Sequence, residues 1–216
     1  MLAGWASSHN WSFKGTGDAE LCQQFKCLPQ GKSSSAAFNI IIGDIDKQKV
    51  CTFDCKYRGS TVVLYTDISL KPLYIRHEGF GDKVADSIDA EDDDEVKLES
   101  AEFNSQFHVR SPDHKWAYDV LSQETMELLL KSPRFHLDFH DNNITAWRES
   151  LSFFKIADFE DAIKVMTGIL DRLPASLIQE LKGVDDSLNH HHAHSHIHSD
   201  RPSPGNGTTH NSHNVQ

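Results

Sequence analysis

"FNIIIGDIDKQKVCTFDCKYRGSTVVLYTDIS", residues 38–69, decides the fold class of this chain. With the preceding Ala37 it resolves into three runs, Ala37–Ile45, Lys49–Arg58 and Ser60–Ser69. Each is rich in β-branched and aromatic residues and has the length of a strand. Asp46-Lys47-Gln48 and Arg58-Gly59 separate them with turn residues. Gaps this short join neighbouring strands directly, so the segment predicts an antiparallel meander. "LYIRHE", residues 73–78, reads as a fourth strand.

Upstream, "GWASSHNWSF" (4–13) predicts a short helix running into a strand. Asp18 is placed to cap "AELCQQFKCL" (19–28), where Leu21, Phe25 and Leu28 recur at helical spacing. "PQGKSSS" (29–35) is a loop. Downstream, Phe80, Val84 and Ile88 mark a short helix, followed by the acidic run "DAEDDDE" (89–95). That run lacks the glycine at the sixth position of a calcium loop and reads as solvated.

"VKLESAEFNSQFHVRS" (96–111) predicts a strand, a turn and a strand. Ser111 is an expected N-cap, with Pro112 at the first helical position and Asp113 in the first turn. That helix carries Trp116, Val120 and Leu121 inward; Ser122 restarts it, Leu129 continues its apolar side, and Pro133 stops it. "RFHLDFHDNNITAWRE" (134–149) predicts a hairpin turning at Asp141-Asn142-Asn143. A long final helix begins near Asp158, with Phe159, Ile163, Met166, Leu170 and Leu173 on one stripe, and "SLIQEL" (176–181) adds an amphipathic turn or two. Apolar periodicity ends after Gly183.

The expected architecture is therefore α+β: an antiparallel sheet of about six to seven strands packed against helices, with a long C-terminal helix. Residues 1–184 form one domain of this class, and 185–216 form a disordered His-rich tail.

The formal net charge of −11 disfavours nucleic acid and anionic membrane surfaces as partners. No run approaches the ~18 apolar residues of a spanning helix, and the start lacks a secretory pattern, so the expected location is cytoplasmic. Cys22, Cys27, Cys51 and Cys55 have the chemistry of zinc ligands but the wrong spacing. Cys51 and Cys55 lie four positions apart on a predicted strand, ~13 Å at ~3.3 Å per residue. Cys22 and Cys27 diverge by ~140° around a helix axis. Reduced, partly buried thiols are the expectation.

Metal chemistry concentrates instead in "NHHHAHSHIHSD" (189–200). His190, His191, His192, His194, His196 and His198 are neutral imidazoles at pH 7 for the most part, and suit nickel or zinc. A tail with no neighbouring groups to orient its imidazoles predicts weak, unselective binding that fades below about pH 6. No resident cofactor is expected beyond such adventitious metal.

Inside the domain, His136, Asp138 and His140 alternate with Leu137 and Phe139, the pattern of a half-buried strand with its polar side outward. His108 between Phe107 and Val109 reads the same way. His114 falls in a helix first turn, and His77 beside Glu78 reads as a surface loop. Nucleophile-elbow, Walker, dinucleotide and His-Glu-x-x-His motifs are absent, which lowers the expectation of an enzyme.

Several segments resemble an uncharacterised bacterial domain family of unknown function. They are "GWASSHNWSF", "FNIIIGDIDKQKVCTFDCKYR", "LYIRHEGFGDKVAD" and, most fully, "VKLESAEFNSQFHVRSPDHKWAYDVLSQETMELLLKSP" (96–133). The last holds Glu102-Phe103-Asn104, Phe107, Val109, Ala117-Tyr118, Leu121, Met126 and Leu129-Leu130 in the expected order. The resemblance spans residues 1–173 and implies a fold but no activity. Membrane helices that precede the domain in many relatives are not seen here. The expected function is a non-catalytic binding or scaffold domain with an unidentified protein partner. The alternatives are a metal-handling protein that buffers or delivers nickel or zinc on its tail, and an unrecognised enzyme.

Overall fold

A computed structural model describes residues 1–25, 35–77, 94–148 and 153–182. Cys27, Glu78, the helix expected at 80–88, most of the acidic run and the tail with its six histidines lie outside those residues.

The chain order is α1 (Leu2–Ser8), β1 (Ser12–Lys14), α2 (Ala19–Gln24), β2 (Phe38–Ile45), β3 (Gln48–Cys55) and β4 (Gly59–His77). There follow α3 (Ala101–Asn104), β5 (Phe107–Arg110), α4 (His114–Val120), α5 (Gln123–Lys131), β6 (His136–Trp147) and α6 (Ile156–Leu170), with residues 175–182 also helical. The six strands form one antiparallel sheet in the order β1-β2-β3-β4-β5, with β6 also paired to β4. The class is α+β.

The meander forms as expected. Asp46 and Lys47 both adopt positive φ (48° and 73°) between Ile45 and Gln48, the twist-matched form of a two-residue hairpin. Gly59, at φ 82°, closes the next one. Asp18 caps α2 by accepting the N–H groups of Glu20 and Leu21.

The fourth strand is not separate. Gly59–His77 is one 19-residue strand whose first part pairs with β3 and whose last part pairs with β5, while β6 runs along its other edge. Pro72, which has no N–H to give a ladder, sits where the register breaks between Leu70 and Leu73. Ser111 is not the N-cap of the next helix. Its hydroxyl donates to Pro72 O at 2.7 Å, and Asp113 caps α4 by accepting Trp116 N–H. Residues 96–110 hold the short helix α3 before β5, and only Glu95 bridges to Arg110 on the strand side. Ser122 caps α5 as expected. α6 begins at Ile156, two residues before the expected start, and Asp158 accepts Lys155 N–H from its first turn.

Alternation along β4 and β6 sorts two layers. Val62, Leu64, Leu73, Ile75, Leu137, Phe139, Ile144 and Ala146 form the inner face, in one core with Trp5, Trp116, Val120, Leu121, Leu129, Phe159, Met166 and Ile169 from the helices. The outer face holds a smaller cluster, in which Cys22 of α2 and Phe25 at its C-cap cover Ile40, Cys51, Phe53, Cys55 and Val63.

Candidate binding notch

The chain doubles back inside β6. Between the pairs Thr61↔Trp147 and Ile75↔Leu137, β4 uses residues 61–75 while β6 uses only 137–147, so β4 carries four extra residues. Extra residues on one strand of a ladder put it on the outside of a curve. β6 takes the inside. Asp141 lies in the left-handed region at φ 51°, opposite the bulged stretch of β4, and is the apex of the bend.

The ends of β6 meet as a result. His136 and Trp147 are eleven positions apart, ~36 Å in a straight strand at ~3.3 Å per residue. Their rings stack at 5.6 Å with planes 25° apart, and Arg148 Nε donates to Arg134 O at 3.3 Å. The reversal falls where the sequence predicts a hairpin turn, yet the backbone ladders of both limbs run to β4. The expected hairpin is corrected to a bent edge strand.

A notch of about 170 Å³ lies within this bend, on the outer face. Asp138 and His140 line it from the first limb, Asp141 from the apex, and Asn143 and Thr145 from the second; Gln24 and Phe25 close it from the end of α2. The Trp147 indole has the Arg58 guanidinium 4.3 Å from its centroid and the Tyr74 ring stacked at 6.0 Å. Arg58 Nη1 also donates to Phe25 O at 2.8 Å, so one cation joins the helix end to the aromatic stack.

The sequence-predicted residues divide accordingly. Leu137 and Phe139 are fully buried, as expected of the core side. Asp138 and His140 enter the notch, where His140 Nδ1 lies 2.7 Å from Asp141 Oδ2. His136 departs from the solvent-face expectation: at 5% exposure it is buried beneath Trp147 because the bend folds one limb toward the other. His108 lies 3.6 Å from Glu95, His77 packs its ring on Phe107 at 5.0 Å, and His114 stays exposed in the first turn of α4. None of these three lines the notch.

Cys22, Cys51 and Cys55 are buried thiols outside any disulfide, and burial pushes the Cys51 thiol up to about 11, which keeps it protonated and inert at neutral pH. Among the described residues no group of three or more His, Cys, Asp or Glu side chains is arranged to hold a metal ion.

The sequence reading missed Trp147, Arg58 and Tyr74. A signal was present: the apolar phase of β6 changes parity between Leu137/Phe139 and Ile144/Ala146. A strand that keeps both pairs on one face must break its pleat between them.

The family described as "Protein of unknown function (DUF3137)" matches residues 49–175, more than half of the chain. This chain belongs to that family. The DUF3137 match takes in both limbs of β6, Arg58 and Tyr74, but not α2. No curated protein matches the chain. Among solved structures, the crystal structure of the mycobacterial trehalose monomycolate transport factor A, TtfA, is similar with a TM-score of 0.59 and 14% identity. The likeness covers 80% of this chain and 94% of that one, and shows the shared fold. No described helix is long and apolar enough to cross a membrane.

Proposed function

We propose that this domain is a non-catalytic binding module whose contact surface is the notch inside β6, and that its partner is a protein presenting a basic or amide side chain. The notch carries this reading. Its volume of about 170 Å³ is well under the ~300–1,000 Å³ of pockets for drug-sized ligands, and matches one side chain. Asp138 and Asp141 offer carboxylate acceptors, Asn143 and Thr145 offer neutral polar groups, and among the described residues no Lys or Arg lines it. The half-buried Trp147, Tyr74 and Arg58 beside it are the residue types that anchor protein interfaces. Likeness to a protein described as a transport factor supports the same non-catalytic reading. A cytoplasmic site of action belongs with it.

The test is a photo-crosslinking residue at Asn143 in cells, followed by binding measurements with the purified partner it captures. Asp138→Asn should weaken that binding about tenfold, the effect of losing one charge-assisted hydrogen bond, while Lys131→Ala on α5 leaves it unchanged. Equal effects of both, or crosslinks no different from those at Lys131, remove the notch from the account.

The six histidines of 190–198 support a second, separable reading. We infer that the domain ends at residue 184 and that 185–216 form a tail binding nickel or zinc weakly. Calorimetric titration of the full chain and of a chain ending at Asp186 decides this. Equal binding by both moves the metal into the domain.

A further inference from the structure

The contact that neither the core nor the notch explains lies between Cys22 of α2 and Cys55 at the end of β3. Their sulfurs are 3.0 Å apart, though the residues are 33 positions apart in sequence. Non-bonded heavy atoms pack at ~3.5–4.0 Å, and a disulfide bond is ~2.0 Å long. The pair therefore sits inside ordinary contact and about 1 Å outside a bond. Both residues are at 0% exposure, in the small cluster that holds α2 on the sheet. Cys51 belongs to the same cluster, yet the short contact goes to Cys55.

We propose that Cys22 and Cys55 form a reversible disulfide that pins α2 to the sheet and sets the wall of the notch. The second half of this statement rests on the binding reading above; the bond itself does not. α2 is only six residues long, and its end supplies Gln24 and Phe25 to the notch. Phe25 O accepts from Arg58, which lies over Trp147. A covalent tie at Cys22 thus holds the helix end from which Arg58 and the aromatic stack take their position.

The chemistry is thiol–disulfide exchange with a small-molecule disulfide such as oxidised glutathione. The thiolate of one cysteine attacks the glutathione disulfide, forming a mixed disulfide and releasing one glutathione thiol. The second cysteine thiolate attacks the protein sulfur of that mixed disulfide, the Cys22–Cys55 bond forms, and the second glutathione leaves. The protein gives up two electrons and two protons, and the oxidant takes them. Neither sulfur reaches solvent, so exchange proceeds through lifting of α2; oxidation is slow in buffer and faster in mild denaturant.

The full chain, equilibrated in glutathione buffers of increasing oxidised fraction, is quenched by alkylation, weighed intact and peptide-mapped. The expected product has lost two hydrogens, joins the Cys22 peptide to the Cys55 peptide, leaves Cys51 free, and melts about 5–10 °C higher. Cys51→Ser should retain the bond, whereas Cys22→Ser and Cys55→Ser each abolish it. If those two variants do not fold, the wild-type map still decides. Four alkylated cysteines at every ratio, or a bond between any other pair, overturns the proposal.

Crosslinking from Asn143 is then compared in the reduced and oxidised forms, with a change of at least twofold expected. A bond that forms without changing the crosslink severs it from the notch. A missing bond with the crosslink intact overturns this inference and leaves the binding reading standing.

Discussion

The two faces of the β4–β6 ribbon are built from alternating residues of the same strands, yet they behave as different materials. On the inner face Leu137, Phe139, Ile144 and Ala146 are all at 0% exposure and sit in one core with the helices. On the outer face Asp138 and Asn143 are half-buried, and His140 and Asp141 are exposed around a polar notch. The bend of β6 is common to both. The inner face tolerates it because helices pack against it in one core; the outer face turns the same bend into a concave site. One backbone distortion closes a core and opens a notch.

The inner face should respond most strongly to substitution. Phe139→Ala removes a fully buried ring at the limb of the bend and should lower stability by about 3–5 kcal/mol in denaturant unfolding. A loss below about 1 kcal/mol would mean that the inner face is not a packed core there.

Overpacking should have a smaller effect. A Cβ added at Gly43 would fall inside the Trp11 indole, which lies over that strand. Gly43→Ala is expected to cost about 1–3 kcal/mol, with Trp11 half-buried and able to shift in part. Unchanged stability together with unchanged Trp fluorescence would remove Trp11 from that position.

A charge at the entry to α6 should contribute less again. Burial raises the Asp158 carboxyl, but the Lys155 N–H and the Arg148 guanidinium outweigh it and hold the group below its ordinary range. A carboxyl depressed in the folded state stabilises the fold above its unfolded value of ~3.9 and loses that contribution as pH falls through the folded value. Asp158→Asn should therefore cost about 1 kcal/mol at pH 7, the two proteins converging in urea melts as pH drops from about 5 toward 2. Parallel curves across that window would show that the carboxylate charge contributes nothing.

The smallest effect belongs to the outer face. His140 and Asp141 are paired at 2.7 Å but remain 53% and 77% exposed, so His140→Ala should change stability by under about 0.5 kcal/mol. A larger loss would make the notch part of the folding core.

Much of this was legible beforehand, for identifiable reasons. Asp46-Lys47 between two β-branched runs left the chain no element but a hairpin, and Asp18, Ser122 and the α6 stripe acted through contacts within a few residues. The boundary errors share a cause. Ser111 and Asp113 are both competent caps, and Pro72 O, 39 residues away in sequence, takes the Ser111 hydroxyl and leaves the cap to Asp113. Asp141-Asn142-Asn143 does reverse the chain, but residue type reports willingness to adopt positive φ and not which strand will claim the backbone hydrogen bonds.

By itself, then, the sequence determined the period of each strand and helix, the turns of the meander, the family, and which residues had to be withdrawn from water. Those properties are local: they follow from side-chain shape, φ preference and apolar spacing within about ten residues. Tertiary structure alone decided that β4 would carry four residues more than β6, that His136 would be buried under Trp147, that Arg58 would reach from a turn to the end of α2, and that Cys22 would meet Cys55. Each depends on how two distant segments are set in register. Register is a property of the pair, fixed by the packing that both strands achieve together, and neither strand's residues contain it alone.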